Sequence, residues 1–308
     1  MTETFRPSQF LAPRHWPTWL GLALVRVGGA LPYRWQLRLA RVIGNLVYLL
    51  ARSRRRIAQI NVDLCLPELT PAERTRLVRE SFVSSAMAIF EMGLAWWGSD
   101  ERLRALHRAE GLEHLEAVLA GGKGAILLGG HYTTIELSGR LMGLHRRDIY
   151  PVYKHARNPL YDAAVAAGRR RVYAGILDNL DLRALVRVLK QGKVVWYAPD
   201  QDFGRERSVF APFFGVPTAT LTTTARLARL SGAPVLPFYS ERLPGEAGYV
   251  IRVGAPLADF PSGDDLQDAT AINRAIEAQV RRTPEQYLWL HKRFKTRPHG
   301  EPPIYPKK

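Results

Sequence analysis

The sequence predicts an α/β fold, with a central, mostly parallel sheet flanked by helices and an N-terminal membrane-anchoring helix ahead of it. Three observations carry this. From residue 111 onward, short apolar runs alternate with helical stretches that end in glycine or polar residues. Residues 16–60 read as helix, with apolar runs but no strand signal. The hydrophobic fraction is 46% and the charged fraction 23% over 308 residues, which supports a sizeable core in one large domain or two modest ones. The division drawn is an N-terminal anchor and helical region, 1–60, and a domain carrying the alternation, 61–308.

Taken in chain order, MTETFRPSQF carries an early acid and lacks the small-residue cleavage pattern of a signal peptide. WPTWLGLALVRVGGALPYRW (16–35) is about long enough to span a bilayer, although Arg26 interrupts it. Trp16, Trp19, Tyr33 and Trp35 flank that run as interfacial aromatics do, and the basic cluster RSRRR (52–56) follows a second apolar stretch broken by Arg38 and Arg41. These features predict a helix that spans or embeds in a membrane, its basic end cytoplasmic. The competing arrangement is a pair of amphipathic helices packed in a soluble core. LTPAERTRLVRESFVSSAMAIFEMGLAWW (69–97) is a helix, with Thr70 as cap, Pro71 in the first turn and Glu73 completing the cap.

The alternating part begins with a short helix over 111–122. Strands follow at 125–130, 148–153, 193–199, 233–239 and 249–254. Helices are expected at 135–145, 158–171, 181–192, 218–232 and 265–282. No internal repeat or low-complexity tract appears.

The net charge of +16 implies an acidic partner: nucleic acid, an anionic membrane surface, or an acidic substrate or carrier. Nucleic acid is the weakest of these. No binding signature is present, and the aromatics do not form a stacking platform among basic strands. The single cysteine, Cys65, excludes an internal disulfide and a cysteine zinc site, and its apolar neighbours predict a buried, inert thiol.

GAILLGGHYTTIE (124–136) carries the chemistry. On a continuous helix, residues five apart lie about 140° apart and do not meet. Here a strand ends before Gly129-Gly130, His131 precedes a helix, and Glu136 lies on its first turn. That geometry lets the imidazole reach back to the carboxylate, which would fix its tautomer and leave the other ring nitrogen as a general base. No G-x-S-x-G pattern is present to mark a serine nucleophile. GRRR (168–171) suits a phosphate clamp or a solvated helix end. PDQDFG (199–204) follows a strand, where sites collect. There Asp200 and Asp202 suit either holding arginines or a substrate amine, or a turn. No convincing metal ligand set appears. Phe210, Pro212, Phe213 and Phe214 suit an apolar groove or core, and KRFKTRPHG (292–300) a contact with acidic groups or a solvated tail.

The H-x4-E pattern after a strand resembles the signature of the glycerolipid acyltransferase superfamily. NVDLCLPELTPAER, ESFVSSAMAIFEMGLAWW, NPLYDAAVAAGRRR, VVWYAPDQDFG with SVFAPFFG, TTTARLARLSGAPVLPF and EQYLWLHKRFKTRPHGEPPIY narrow the resemblance to the late acyltransferases of lipid A biosynthesis, the lauroyl/myristoyl type, from about residue 15 to 305. The resemblance implies the acyltransferase fold. It implies transfer of a fatty acyl group from acyl carrier protein to a hydroxyl on a 3-hydroxyacyl chain of a lipid A precursor. The place would be the cytoplasmic face of the inner membrane, and the enzyme a monomer needing no cofactor and no metal. It assigns His131 as base, Glu136 as its orienter, and Arg169 and Arg171 to the lipid phosphate or the oxyanion. Asp200, Asp202 and Asn158 join them as substrate-binding residues. Two departures stand out: DQDFG where the family often carries DHDYG, and Lys154-His155 where it often carries an arginine. A lipid or thioester hydrolase using the same His131 on water is the alternative activity.

Overall fold

The computed structural model describes residues 5–306. Residues 1–4, where the N-terminal stretch read for a targeting signal begins, lie outside the described residues, as do 307–308.

Three helices open the chain: α1 (Trp16–Ala30), α2 (Tyr33–Leu50) and α3 (Arg52–Cys65). They pack on α4 (Pro71–Trp97), which starts at the predicted capping box. Thr70 Oγ1 accepts from the Glu73 amide at 3.3 Å, and Glu73 returns a carboxylate to the Thr70 amide at 2.8 Å. Where α1 crosses α4, a Cβ on Gly29 would sit 2.4 Å from the Gly93 backbone, so this packing distance requires glycine. The helix α3 runs through residue 60 without a break.

The rest alternates. In order come α5 (Asp100–Ala105), β1 (His107–Glu110), α6 (Leu112–Ala120), β2 (Ala125–Leu128), α7 (Ile135–Met142), β3 (Ile149–Tyr153), α8 (Pro159–Arg170), β4 (Leu177–Asp178), α9 (Leu182–Lys190) and β5 (Val194–Tyr197). Then follow β6 (Ser208–Phe213), β7 (Val216–Leu221), α10 (Thr223–Ser231), β8 (Val235–Arg242), β9 (Tyr249–Val253) and α11 (Asp265–Arg282). Seven strands form one sheet in the order β1-β9-β8-β2-β5-β3-β4, parallel except for the β8–β9 pair. The central strand β2 is buried along its whole length, as a strand covered by helices on both faces must be. The predicted α/β class, with a mostly parallel sheet flanked by helices, is therefore correct.

Two expectations change. The helix read over 218–232 begins only at Thr223, because Thr218 and Thr220 belong to β7, paired with β6 in a separate hairpin. Threonine suits a pleated strand better than a helix interior, and a strand satisfies this run. The predicted spanning anchor is also not found. No helix among the described residues is long and apolar enough to cross a membrane. The 15 residues of α1 rise only ~22 Å, against ~30 Å of hydrocarbon, and α2 carries Arg34, Arg38 and Arg41. Instead the two helices expose an apolar face: Trp16, Leu20, Leu24 and Val27 on α1, and Trp35, Leu39, Val42, Ile43, Leu46 and Leu50 on α2.

Candidate active site

The parallel register of β2 and β5 builds the site. Leu128 pairs with Tyr197, so His131 and Asp200 each lie three residues beyond the aligned strand ends. The Gly129 position is fixed by the Trp196 indole, which a Cβ there would approach to 2.6 Å. Asp200 is buried and both of its oxygens serve one residue. Oδ1 accepts from His131 Nδ1 at 2.6 Å and Oδ2 from the His131 amide at 2.8 Å. Burial pushes the Asp200 carboxyl up, but the adjacent His131, its two hydrogen bonds and Arg293 outweigh it and bring it down to about 2. An ionised carboxylate only accepts, so the proton between them sits on Nδ1 and the Nε2 lone pair is left for chemistry.

This corrects the expected His131–Glu136 pair. Both Glu136 oxygens are engaged elsewhere, by the Arg169 guanidinium and by Trp96 Nε1 at 3.3 Å. α7 starts at Ile135 as expected, but Glu136 lies on a helix face turned toward Arg169 of α8 and Trp96 of α4. Burial lowers the affinity of Arg169 for its proton, and Glu136 more than restores it, so the guanidinium stays charged. The Arg169 guanidinium also lies 4.9 Å from the Tyr153 ring centroid.

The other predicted residues separate. Arg171 donates to the Trp96 carbonyl at 3.4 Å and lines a cavity of about 280 Å³ with Arg140 and Arg147. Asp202 accepts from the Thr296 amide and hydroxyl at 2.6 and 2.8 Å, tying the loop after β5 to the C-terminal segment. Asn158 caps α8 by accepting from the Tyr161 amide at 3.1 Å and donates to Thr18 Oγ1 at 2.9 Å, so its carboxamide is committed to structure. Phe213 is core, its ring tilted against those of Tyr287 and Phe294. The basic 292–300 segment is not a loose tail. Arg293 is buried and donates to the Ala219 carbonyl at 2.7 Å, and Phe294 is fully buried. Cys65 is buried and its thiol pushed up by desolvation, as expected of an inert cysteine.

Sequence reasoning missed three groups. His291 lies in the same small cavity as His131 and Asp200, and its Nε2 accepts from the Asp202 amide at 3.4 Å. Burial and the neighbouring His131 push it down to about 4, so it is neutral at pH 7. Trp96 holds Glu136. Arg242 and Glu91 form a buried bidentate pair at 2.7 and 2.9 Å. Arg242 also donates to Ser84 Oγ at 3.0 Å, and Ser84 shares a 2.7 Å hydrogen bond with Thr133, two residues from His131. The signal available for Asp200 was its offset: a His and an Asp equally far past two strands that pair in parallel.

The cavity bordered by His131 holds about 10 Å³, room for at most one water, while the imidazole side chain is 26% exposed. A larger cavity, about 650 Å³, lies between α2, α4 and the end of β8 and does not include His131. Among the described residues, no group of three or more His, Cys, Asp or Glu could hold a metal ion.

Compared with known proteins, residues 4–296 match the family of bacterial lipid A biosynthesis acyltransferases. The chain is 40% identical over 296 residues to the lipid A biosynthesis lauroyltransferase of Escherichia coli K12, covering 96% of each. It is 39% identical to the palmitoleoyltransferase of the same organism, covering 96% of this chain and 97% of the relative. The identity to that organism's myristoyltransferase is 31%, covering 97% and 93%. The chain belongs to this acyltransferase family.

Proposed function

We propose that this lipid A biosynthesis acyltransferase moves a fatty acyl group from acyl carrier protein to a hydroxyl on a 3-hydroxyacyl chain of a lipid A precursor, with His131 as general base. The observation that carries this is the buried Asp200 carboxylate on His131 Nδ1, which leaves Nε2 as the basic atom of a ring that is partly exposed. Nε2 takes the proton of the acceptor hydroxyl. The oxygen attacks the thioester carbonyl, the C–O bond forms, the C–S bond breaks, and the carrier's thiolate recovers the proton from His131. Asp200 stabilises the imidazolium in between. Arg169, held by Glu136, is the cation assigned to the developing oxyanion. Both substrates reach the ring from outside the small cavity, which admits only a water.

The exposed apolar face of α1 and α2 supports membrane attachment in the plane of the interface rather than across it, with Arg34 and Arg38 on α2 available to anionic headgroups. Access to acyl carrier protein puts the enzyme on the cytoplasmic face of the inner membrane, working as a monomer without a cofactor.

The test mixes purified enzyme with acyl carrier thioester, with and without acceptor lipid, and follows products by mass spectrometry. Acceptor-dependent gain of one acyl mass, lost in His131→Ala, is expected. Free fatty acid released regardless of acceptor would instead identify a hydrolase.

A further inference from the structure

We infer that Arg140, Arg147 and Arg171 form an anion subsite that takes a phosphate of the acceptor lipid. This rests on the acceptor proposed above and adds two residues, Arg140 and Arg147, that the sequence did not single out.

The three guanidiniums come from separate parts of the chain: Arg140 from α7, Arg147 from the loop before β3, and Arg171 from the end of α8. They line one cavity of about 280 Å³ walled by Trp96 and Trp97. Only one carboxylate lines it, Asp100, and that one pairs with Arg140. Among the described residues, no carboxylate pairs with Arg147 or Arg171, so the cavity holds a net positive charge of about two, matching a phosphate. Arg26 adds further positive charge, 6.0 Å from the Trp97 ring centroid. Arg169, by contrast, pairs with Glu136, so the charges of GRRR divide: Arg169 faces its glutamate and Arg171 lines the cavity.

Position agrees with chemistry. Trp96 is shared, its indole N–H on Glu136 and its carbonyl on Arg171. Ile135 to Arg140 is five residues along α7, a rise of about 7.5 Å. The Arg140 backbone therefore stands less than two helical turns from the start of α7, the helix that follows His131. A phosphate held there would fix the sugar while the hydroxyl of its acyl chain reaches the base. The same chemistry occurs in the phosphodiester of the carrier's prosthetic arm, so the experiment separates the two.

Initial rates of the full chain are measured with the acceptor and with the same acceptor after removal of its phosphates. The wild type should show a KM at least about tenfold lower for the phosphorylated acceptor, the effect of one or two charge-assisted hydrogen bonds. In Arg147→Ala/Arg171→Ala this ratio should fall toward one, with the KM for acyl carrier thioester unmoved, and Arg147→Lys/Arg171→Lys should retain part of it. Both side chains are exposed, so the melting curve should not change. A ratio that survives the double substitution, or a rise in the donor KM instead, overturns the subsite. Calorimetric titration with the acyl-free glucosamine disaccharide bisphosphate reads the subsite without catalysis: binding lost in the alanine variant supports it, and equal binding overturns it. A wild type that binds this disaccharide but transfers no acyl group would refute the proposed reaction and leave the subsite standing.

Discussion

Two buried carboxylates flank the loop that carries His131, and they do different things. Asp200 holds His131 from the end of β5, and Glu91 holds Arg242 from within α4, linked through Ser84 to Thr133. Both carboxylates are about 1% exposed in their side chains. The difference lies in the partners. The His131 ring is 26% exposed and keeps a free nitrogen, while Arg242 is 10% exposed and has no lone pair to offer. A buried carboxylate thus becomes part of a reaction only where its partner can change protonation and still reach solvent. Elsewhere it fixes packing.

Substitutions can break or sharpen this contrast. The largest expected effect is on turnover: His131→Ala should lower kcat about 10²- to 10⁴-fold, with little change in melting temperature. Glu91→Ala should do the reverse and destabilise by about 3–5 kcal/mol, because it strands a buried guanidinium. Denaturant titration measures this. Loss of turnover in Glu91→Ala at unchanged stability would erase the distinction between the pairs.

Acid sharpens it further. The folded Asp200 carboxyl, at about 2, lies below its unfolded value of about 3.9. Folding favours the ionised form, so its contribution is complete above about pH 4 and disappears as the pH falls toward 2. That difference corresponds to about 3 kcal/mol. Stability curves of Asp200→Asn should be flatter across that window, and an unchanged acid limb would show that the carboxylate gains nothing from His131. The smallest effect concerns apolar groups, where exposure again decides the role. Leu46→Glu on the α2 face should weaken binding to anionic vesicles roughly tenfold while stability moves within about 0.5 kcal/mol. Undiminished vesicle binding would remove that face from the membrane.

Much of the framework was legible in the residues. The capping box at Thr70, the strand at 125–128 and the helix at 265–282 follow from local chemistry: a hydroxyl three residues before a glutamate, a continuous apolar run, a 3.6-residue repeat. His131 was legible for the same reason, since the two glycines and the strand before it are contiguous with it. Its partner was not. Glu136 is close in sequence but held by Arg169, and Asp200 is 69 residues away. The apolar run at 16–35 suggested a span, yet it breaks into two helices at Leu31-Pro32, where proline disfavours helix in the residue before it.

The sequence by itself determined the alternation of elements, the buried sheet and the histidine after its central strand, because each depends on periodicity and turn chemistry within a short window. Only the tertiary structure decided which carboxylate meets that histidine, which arginines share a cavity and which apolar face stays uncovered. Those depend on strand register and on helices packing from distant parts of the chain, and no local pattern encodes such distances.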